Sequence, residues 1–219
     1  MERKALDKRY QARRCGAPGC GLRFPVDEGS PLGASCPHCG AATELVDAPY
    51  QTFPADEGTP HALQLEVLLD NVRSLTNVGS IFRTADGAGV GHIHLGGFTP
   101  TPEHPKLAKT ALGAERSIPW THHPDTVAAA AHLSANGRHL WALEAGPASQ
   151  SVFDARTRAA VSETEGPVVL VVGHEVSGVD PRILAQCERV LHVPMQGVKG
   201  SLNVGVAFGV ATYTLRHGS

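Results

Sequence analysis

No apolar run in the 219-residue chain approaches the length of a membrane span, and its first residues are charged instead of apolar. These two absences set the expectation of a soluble, cytoplasmic protein with no membrane partner. Cysteine is scarce, at five residues, and in that setting the cysteines read as metal ligands plus one spare, not as disulfides. There is no internal repeat and no low-complexity tract. Gly87-x-Gly89-x-Gly91 closes a helix where a dinucleotide fingerprint would open one, which argues against a nicotinamide-dependent oxidoreductase. A phosphate-binding lysine loop and a Ser-His-Asp elbow are also missing.

What remains is globular: 42% hydrophobic, 18% charged, and long enough for one medium domain with a small appendage. The net charge of −2 conceals an asymmetry. Residues 1–24 carry seven basic side chains against two acidic ones, and residues 25–60 carry six acids and no Lys or Arg. A basic arm on a near-neutral body can touch phosphates. Cys15-x4-Cys20 in this arm and Cys36-Pro-His-Cys39-Gly beyond it form a zinc-ribbon pattern. Two short loops deliver two thiolates each to a tetrahedral ion, and so small a segment needs such a staple. His38 reads as a spacer and Cys187 as a buried apolar residue. Prolines and acids over residues 47–61 mark a linker. The expected organisation is an arm and ribbon over 1–48, a linker over 49–61 and a second domain over 62–219.

In the second domain, short strands alternate with helices. Strands are expected at 63–69, 92–95, 120–122, 139–144, 168–172 and 190–193. Helices are expected at 77–89, capped by Asn77, and at 106–112, 125–136, 181–188 and 203–215. This alternation predicts an α/β fold with a mostly parallel sheet, whose ligands bind beyond the carboxyl ends of its strands. Three loops stand there. The first carries Asn77, Gly79 and Arg83; an arginine near a helix start can grip phosphate. The second is Gly173-His-Glu175-Val-Ser-Gly178, with glycines that allow close approach of backbone to a ligand. The third runs from Val193 through Met195, Gly197, Gly200 and Ser201 to Asn203, with Ser201 and Asn203 as N-caps. His92/His94 and His122/His123 lack a third ligand at recognisable spacing and read as structural histidines.

Together, Asn77-Val-Gly79-Ser-Ile-Phe-Arg83-Thr-Ala, Val172-Gly173-His-Glu175-Val-Ser-Gly178-Val and Val193-Pro-Met195 with Ser201-Leu-Asn203-Val resemble the three motifs of the SpoU/TrmH family. These are RNA 2′-O-ribose methyltransferases of the SPOUT superfamily. Lys109-Thr-Ala-Leu-Gly-Ala-Glu115, before Pro119-Trp120, is similar as well, and Gly205 departs from a common serine. The resemblance implies a SPOUT-type sheet with a C-terminal trefoil knot, which chain-topology rules alone would exclude. It implies a homodimer acting on tRNA or rRNA. S-adenosyl-L-methionine would be held around Gly173, Gly178, Val193, Met195 and Leu202. Arg83 would be catalytic, with Asn77, Glu175, Ser201 and Asn203 as its polar companions. Cys15, Cys20, Cys36 and Cys39 would hold structural zinc. The competing expectation is a non-catalytic RNA-binding protein that keeps the fold.

Overall fold

The computed structural model describes residues 9–51 and 63–218, which belong to two compact units, Met1–Pro60 and His61–Ser219. Arg3, Lys4 and Lys8 of the basic arm, and most of the expected linker, lie outside the described residues.

The first unit is a three-stranded antiparallel sheet in the order β2-β1-β3, built from β1 (Arg9–Cys15), β2 (Arg23–Asp27) and β3 (Thr43–Gln51). Among its described residues, the buried apolar side chains are only Ala12, Cys15 and Cys36. Much of its basic charge is already committed. Arg13 donates to the hydroxyl and carbonyl of Thr43 at 2.7 and 3.1 Å. Arg9 pairs with Glu28, and Arg23 with Asp47. Arg14 is exposed, and its side chain makes no hydrogen bond or ion pair with a described residue.

The second unit is α/β. Its elements are β4 (Leu65–Asp70), α1 (Leu75–Ala88), β5 (His92–Gly96), α2 (Ala108–Ala111), β6 (Trp120–His123), α3 (Thr126–Ala135), β7 (His139–Leu143), β8 (Gln150–Ser151), α4 (Ala155–Glu163), β9 (Val168–Val172), α5 (Pro181–Leu184), β10 (Arg189–His192) and α6 (Val204–His217). The seven strands are all parallel, in the order β6-β5-β4-β9-β7-β10-β8. Strand alternation sends Val67, Leu69, Trp141 and Leu170 to one face, where they join Phe82 of α1 and Phe208 of α6. Leu68, Leu140, Val169 and Val171 go to the other, against Ala130 and Leu133 of α3 and Ile183 of α5. Both faces are covered, which explains the unbroken apolar run of β9. Chain order reverses at the β4/β9 pair, and crevices in open α/β sheets form at such a point.

Several expected boundaries move. Helix α1 begins at Leu75, not Asn77, because Ser74 is the cap and its hydroxyl accepts the Asn77 amide at 3.3 Å. The expected 181–188 helix stops at Leu184, and the 106–112 helix shrinks to Ala108–Ala111 before a 3-10 turn at Ala114–Arg116. Strand β8 and helix α4 lie in a stretch to which the sequence reading assigns no element. The histidines behave as structural groups. His94, almost fully buried, lies between Glu66 at 3.0 Å and His123 at 3.1 Å, and Arg138 also donates to Glu66, at 2.8 Å. Burial alone would raise the Glu66 pKa; hydrogen bonds from His94 and Arg138 hold it at about 2.

Two features bring the helices of one face together. Arg216, buried near the end of α6, donates to the Ala88 carbonyl at 2.7 Å and also to the carbonyls of Leu63 and Gly89. At Gly79 of α1, an added Cβ would lie 2.0 Å from the Thr110 hydroxyl and 2.9 Å from the Ala111 amide of α2. Gly79 therefore serves helix packing. Gly79→Ala is expected to destabilise the protein by about 1–3 kcal/mol, the usual cost of overpacking, measured as a lowered midpoint in urea unfolding with unchanged slope.

Candidate active site

The loops that follow β4 and β9 have no regular structure of their own, yet carboxylates sew them together. Glu175 accepts the amides of Arg73 and Ser74 at 3.0 and 2.9 Å, just ahead of α1. Asp70, at the end of β4 and 3% exposed, accepts the Asp180 amide at 2.8 Å. Glu144, which follows β7, accepts the Val179 amide at 3.0 Å. The loop of residues 173–180 is thus tied to both neighbouring strand ends.

Asn77 joins the third loop to this set. Its amide nitrogen donates to Glu175 at 2.9 Å, and its amide oxygen accepts from Asn203 Nδ2 at 2.9 Å. Asn203 Oδ1 in turn accepts the amides of Gly205 and Val206 at 3.0 and 3.3 Å, which makes it the N-cap of α6. Asn77, Glu175 and Asn203 therefore form one hydrogen-bonded chain across 126 residues of sequence. Arg83 does not enter it. Arg83 is exposed, and its side chain makes no hydrogen bond or ion pair with a described residue.

Beside this chain lies a cavity of about 400 Å³, in the size range of small-molecule sites. All five residues expected to hold a cofactor, Gly173, Gly178, Val193, Met195 and Leu202, line it, together with Glu175, Ser201 and Asn203. Asn77 and Arg83 do not line it. Leu143 and Val172 add apolar wall. The backbone of residues 194–202 makes no hydrogen bond with a described residue, so its donors and acceptors are open to a ligand. Ser201 is exposed in this loop and does not cap α6.

The glycines act differently from expectation. Gly197 and Gly200 do not use positive φ and have open space around them. Gly173 and Gly178 are needed chiefly for one another. A Cβ on Gly173 would lie 2.2 Å from the Gly178 carbonyl carbon. Gly178 has φ +72°, and a Cβ there would meet the Glu144 carboxylate at 2.3 Å. The Gly205 amide is held by Asn203, and the residue lets α6 approach Ser80 of α1. Two groups went unnoticed in the sequence. Glu144 carries no motif signal, and His192, in the cavity wall, bonds Ser149 at 2.9 Å.

The first unit holds a separate candidate centre. The ligand atoms of Cys15, Cys20, Cys36 and Cys39 lie within 4.8 Å of one another. Cys20 and Cys36 sulfurs are 3.8 Å apart and those of Cys15 and Cys39 3.4 Å. Tetrahedral zinc with bonds of about 2.3 Å calls for sulfurs about 3.8 Å apart, so this donor set fits the ion. The amides of Ala17 and His38 point at the Cys15 and Cys36 sulfurs at 3.4 Å, as a thiolate would require. His38 is exposed and outside the cluster. Cys187 is half-buried, and its thiol donates to the Ile183 carbonyl at 3.3 Å.

Glu175 gives the loops of the candidate site a pH dependence. Partial burial would raise its pKa, but the amides of Arg73 and Ser74 and the side chain of Asn77 hold it at about 2, below the ordinary 4.5. A carboxyl depressed in this way contributes its stability in full above pH 4.5, and loses it as pH falls through 2. Hydrogen exchange at the Arg73 and Ser74 amides, corrected for intrinsic rate, is expected to speed up over that window. In Glu175→Gln the exchange should already be fast at pH 7 and respond little to acid.

Comparison with known proteins agrees with this arrangement. The model of the SpoU rRNA Methylase family matches residues 64–213. The 23S rRNA (guanosine-2′-O-)-methyltransferase RlmB of Vibrio vulnificus is 29% identical over 154 residues, 70% of this chain and 59% of that protein. The 23S rRNA (guanosine(2553)-2′-O)-methyltransferase RlmP of Bacillus subtilis is 32% identical, over 68% of this chain and 57% of its own length. The chain thus spans under two thirds of these curated relatives. Among solved structures, the AdoMet-bound rRNA methyltransferase of Sinorhizobium meliloti aligns with a TM-score of 0.64 at 26% identity, covering 73% of this chain and 57% of that one. The matched span takes in the Glu175–Asn77–Asn203 chain and the cavity beside it, and the protein belongs to the SpoU rRNA methylase family.

Proposed function

We propose that this protein transfers a methyl group from S-adenosyl-L-methionine to a ribose 2′-hydroxyl of structured RNA, either tRNA or rRNA. The observation that carries the reading is the hydrogen-bonded chain Glu175–Asn77–Asn203, which draws three motif loops to one cavity. The relatives named above, two of them guanosine 2′-O-methyltransferases of 23S rRNA, support the reaction, and the AdoMet-bound neighbour supports the cofactor.

Gly173, Gly178, Val193, Met195 and Leu202 would hold the cofactor. The apolar wall suits the face of an adenine, and the open backbone of residues 194–202 suits its polar edges. When bound, the cofactor supplies an electrophilic methyl group on a sulfonium. A ribose hydroxyl is a weak nucleophile that must shed its proton and be aligned, and positioning alone can supply several kcal/mol. An arginine is effectively never deprotonated in proteins. Arg83 would therefore fix ribose and phosphate and stabilise the developing oxyanion. Asn77, Glu175 and Asn203 would keep the loops in register, and Ser201 would face the substrate. The reading includes a homodimer with a shared RNA site, a knotted carboxyl-terminal segment and a cytoplasmic setting. It divides the chain into an arm and ribbon over 1–48, a linker over 49–61 and a catalytic domain over 62–219, with zinc in the ribbon.

Two experiments test it. Arg83→Ala should bind S-adenosylmethionine normally by calorimetry and lose at least 100-fold in radiolabelled methyl transfer to RNA, a factor in keeping with loss of one oxyanion-stabilising donor, ~10²–10³; near-normal turnover would remove Arg83 from the mechanism. The ribbon is proposed to help grip RNA. Unaltered protein should contain one zinc per chain by elemental mass spectrometry, and Cys36→Ser should lose it, bind RNA more weakly and show a shallower salt dependence. An unchanged salt slope would leave the ribbon a purely structural role.

A further inference from the structure

Beyond the cavity, the carboxyl edge of the sheet presents one large apolar side chain on a rigid base. Phe98, in the loop after β5, is 60% exposed. Its backbone is fixed on every side. The Phe98 amide donates to Asn71 Oδ1 at 3.3 Å, and Asn71 itself, at φ +56°, donates to Asp70 at 2.8 Å. The Gly97 amide donates to the His123 carbonyl at 2.9 Å, and the His122 ring lies 2.7 Å from the Gly97 carbonyl. Gly97, at φ +59°, has no room for a Cβ, which would lie 2.0 Å from Asn71 Oδ1. On the other side, Thr99 is buried and its hydroxyl donates to the Gly96 carbonyl at 2.7 Å.

The ring sits next to the candidate active site. Its centroid lies 5.9 Å from that of His174, with the planes at 84°. His174 lines the cavity and precedes Glu175. The Val176 and Ser177 amides donate to His174 Nδ1 at 3.2 and 3.3 Å, which fixes the imidazole against the phenyl ring. A ring that is 60% exposed on a fixed backbone keeps its apolar face available, and such a face costs little entropy when a flat ligand stacks on it.

We propose that Phe98 is the stacking platform for an unpaired base of the RNA substrate beside the nucleotide that receives the methyl group. The inference rests on the methyltransferase reading above. The 2′-hydroxyl of a stacked nucleotide lies on the shallow minor-groove surface, and a nucleotide that leaves the stack carries its ribose deeper into a recessed pocket. An aromatic face beside the pocket replaces the stacking that is lost, and does so for any base, because every base has a π-face.

The test uses the full-length protein, radiolabelled S-adenosylmethionine and total RNA from cells lacking the gene. Phe98→Ala and Phe98→Leu should each raise the KM for RNA by about 10-fold, as loss of one base stack would. Phe98→Tyr should stay close to the unaltered protein. Cofactor affinity by calorimetry and thermal midpoint should not change in any of the three. If Phe98→Ala does not fold, the contrast of leucine against tyrosine carries the same information. An unchanged KM in Phe98→Leu overturns the proposal, since the ring would then be dispensable. So does a change of oligomeric state in light scattering with KM unaltered, which would mark a protein contact. If the unaltered protein transfers no methyl group to this RNA, the methyltransferase reading fails first and takes the platform with it.

Discussion

Two side chains, Glu175 and Asn77, hold the candidate active site in one piece. Glu175 accepts three donors, two of them backbone amides just ahead of α1. That is where a helix presents unpaired N–H groups and the positive end of its dipole. Asn77 uses both ends of its amide at once, giving a proton to Glu175 and taking one from Asn203. No other side chain of that length offers a donor and an acceptor in one plane; an aspartate would repel Glu175, and a leucine would leave both partners unpaired. Remove Asn77, and Asn203 loses its side-chain link to the other two loops; remove Glu175, and the Arg73 and Ser74 amides lose their acceptor.

The surrounding scaffold makes that network cheap to hold. The β4, β9 and β7 strands are adjacent and parallel, so the loops at their carboxyl ends start a few ångströms apart. Asp70 and Glu144 then take backbone amides of the loop after β9, one from each side. Gly173 and Gly178 close that loop so tightly that a methyl group on either would strike backbone or carboxylate. The loop of residues 194–202 is the exception, with no internal backbone hydrogen bond. It is rigid at its Asn203 end and free along its length, an arrangement suited to closing on a ligand that supplies the missing partners.

The ribbon follows a different physics. Among its described residues the unit buries only Ala12, Cys15 and Cys36 as apolar side chains, a small core for a free-standing unit. The four sulfurs, gathered within 4.8 Å of one another, suit a tetrahedral ion that would staple such a unit. Its charge is more balanced than the sequence suggests, because Arg9 and Arg23 find acidic partners within the same unit and Arg13 is tied to Thr43.

Read alone, the sequence determined a good deal. Apolar runs and glycine punctuation located the central strands, and β9 falls at Val168–Val172 as expected, since a strand buried on both faces leaves an unbroken apolar record. Cysteine spacing disclosed the four-sulfur cluster, because a knuckle is a local device. The three motifs fall on the loops that Glu175, Asn77 and Asn203 tie together. Sequence could not say what each residue in them does. Asn77 looked like a helix cap, but Ser74 takes that role and frees Asn77 to bridge two distant loops. Glycines that looked like room for a ligand turned out to be room for one another. Glu144, His192 and Phe98 left no trace, because their significance lies in partners far along the chain or in exposure that no local pattern encodes. Local chemistry writes itself into spacing and periodicity; the partner of a side chain 100 residues away is decided only when the sheet brings their strand ends together.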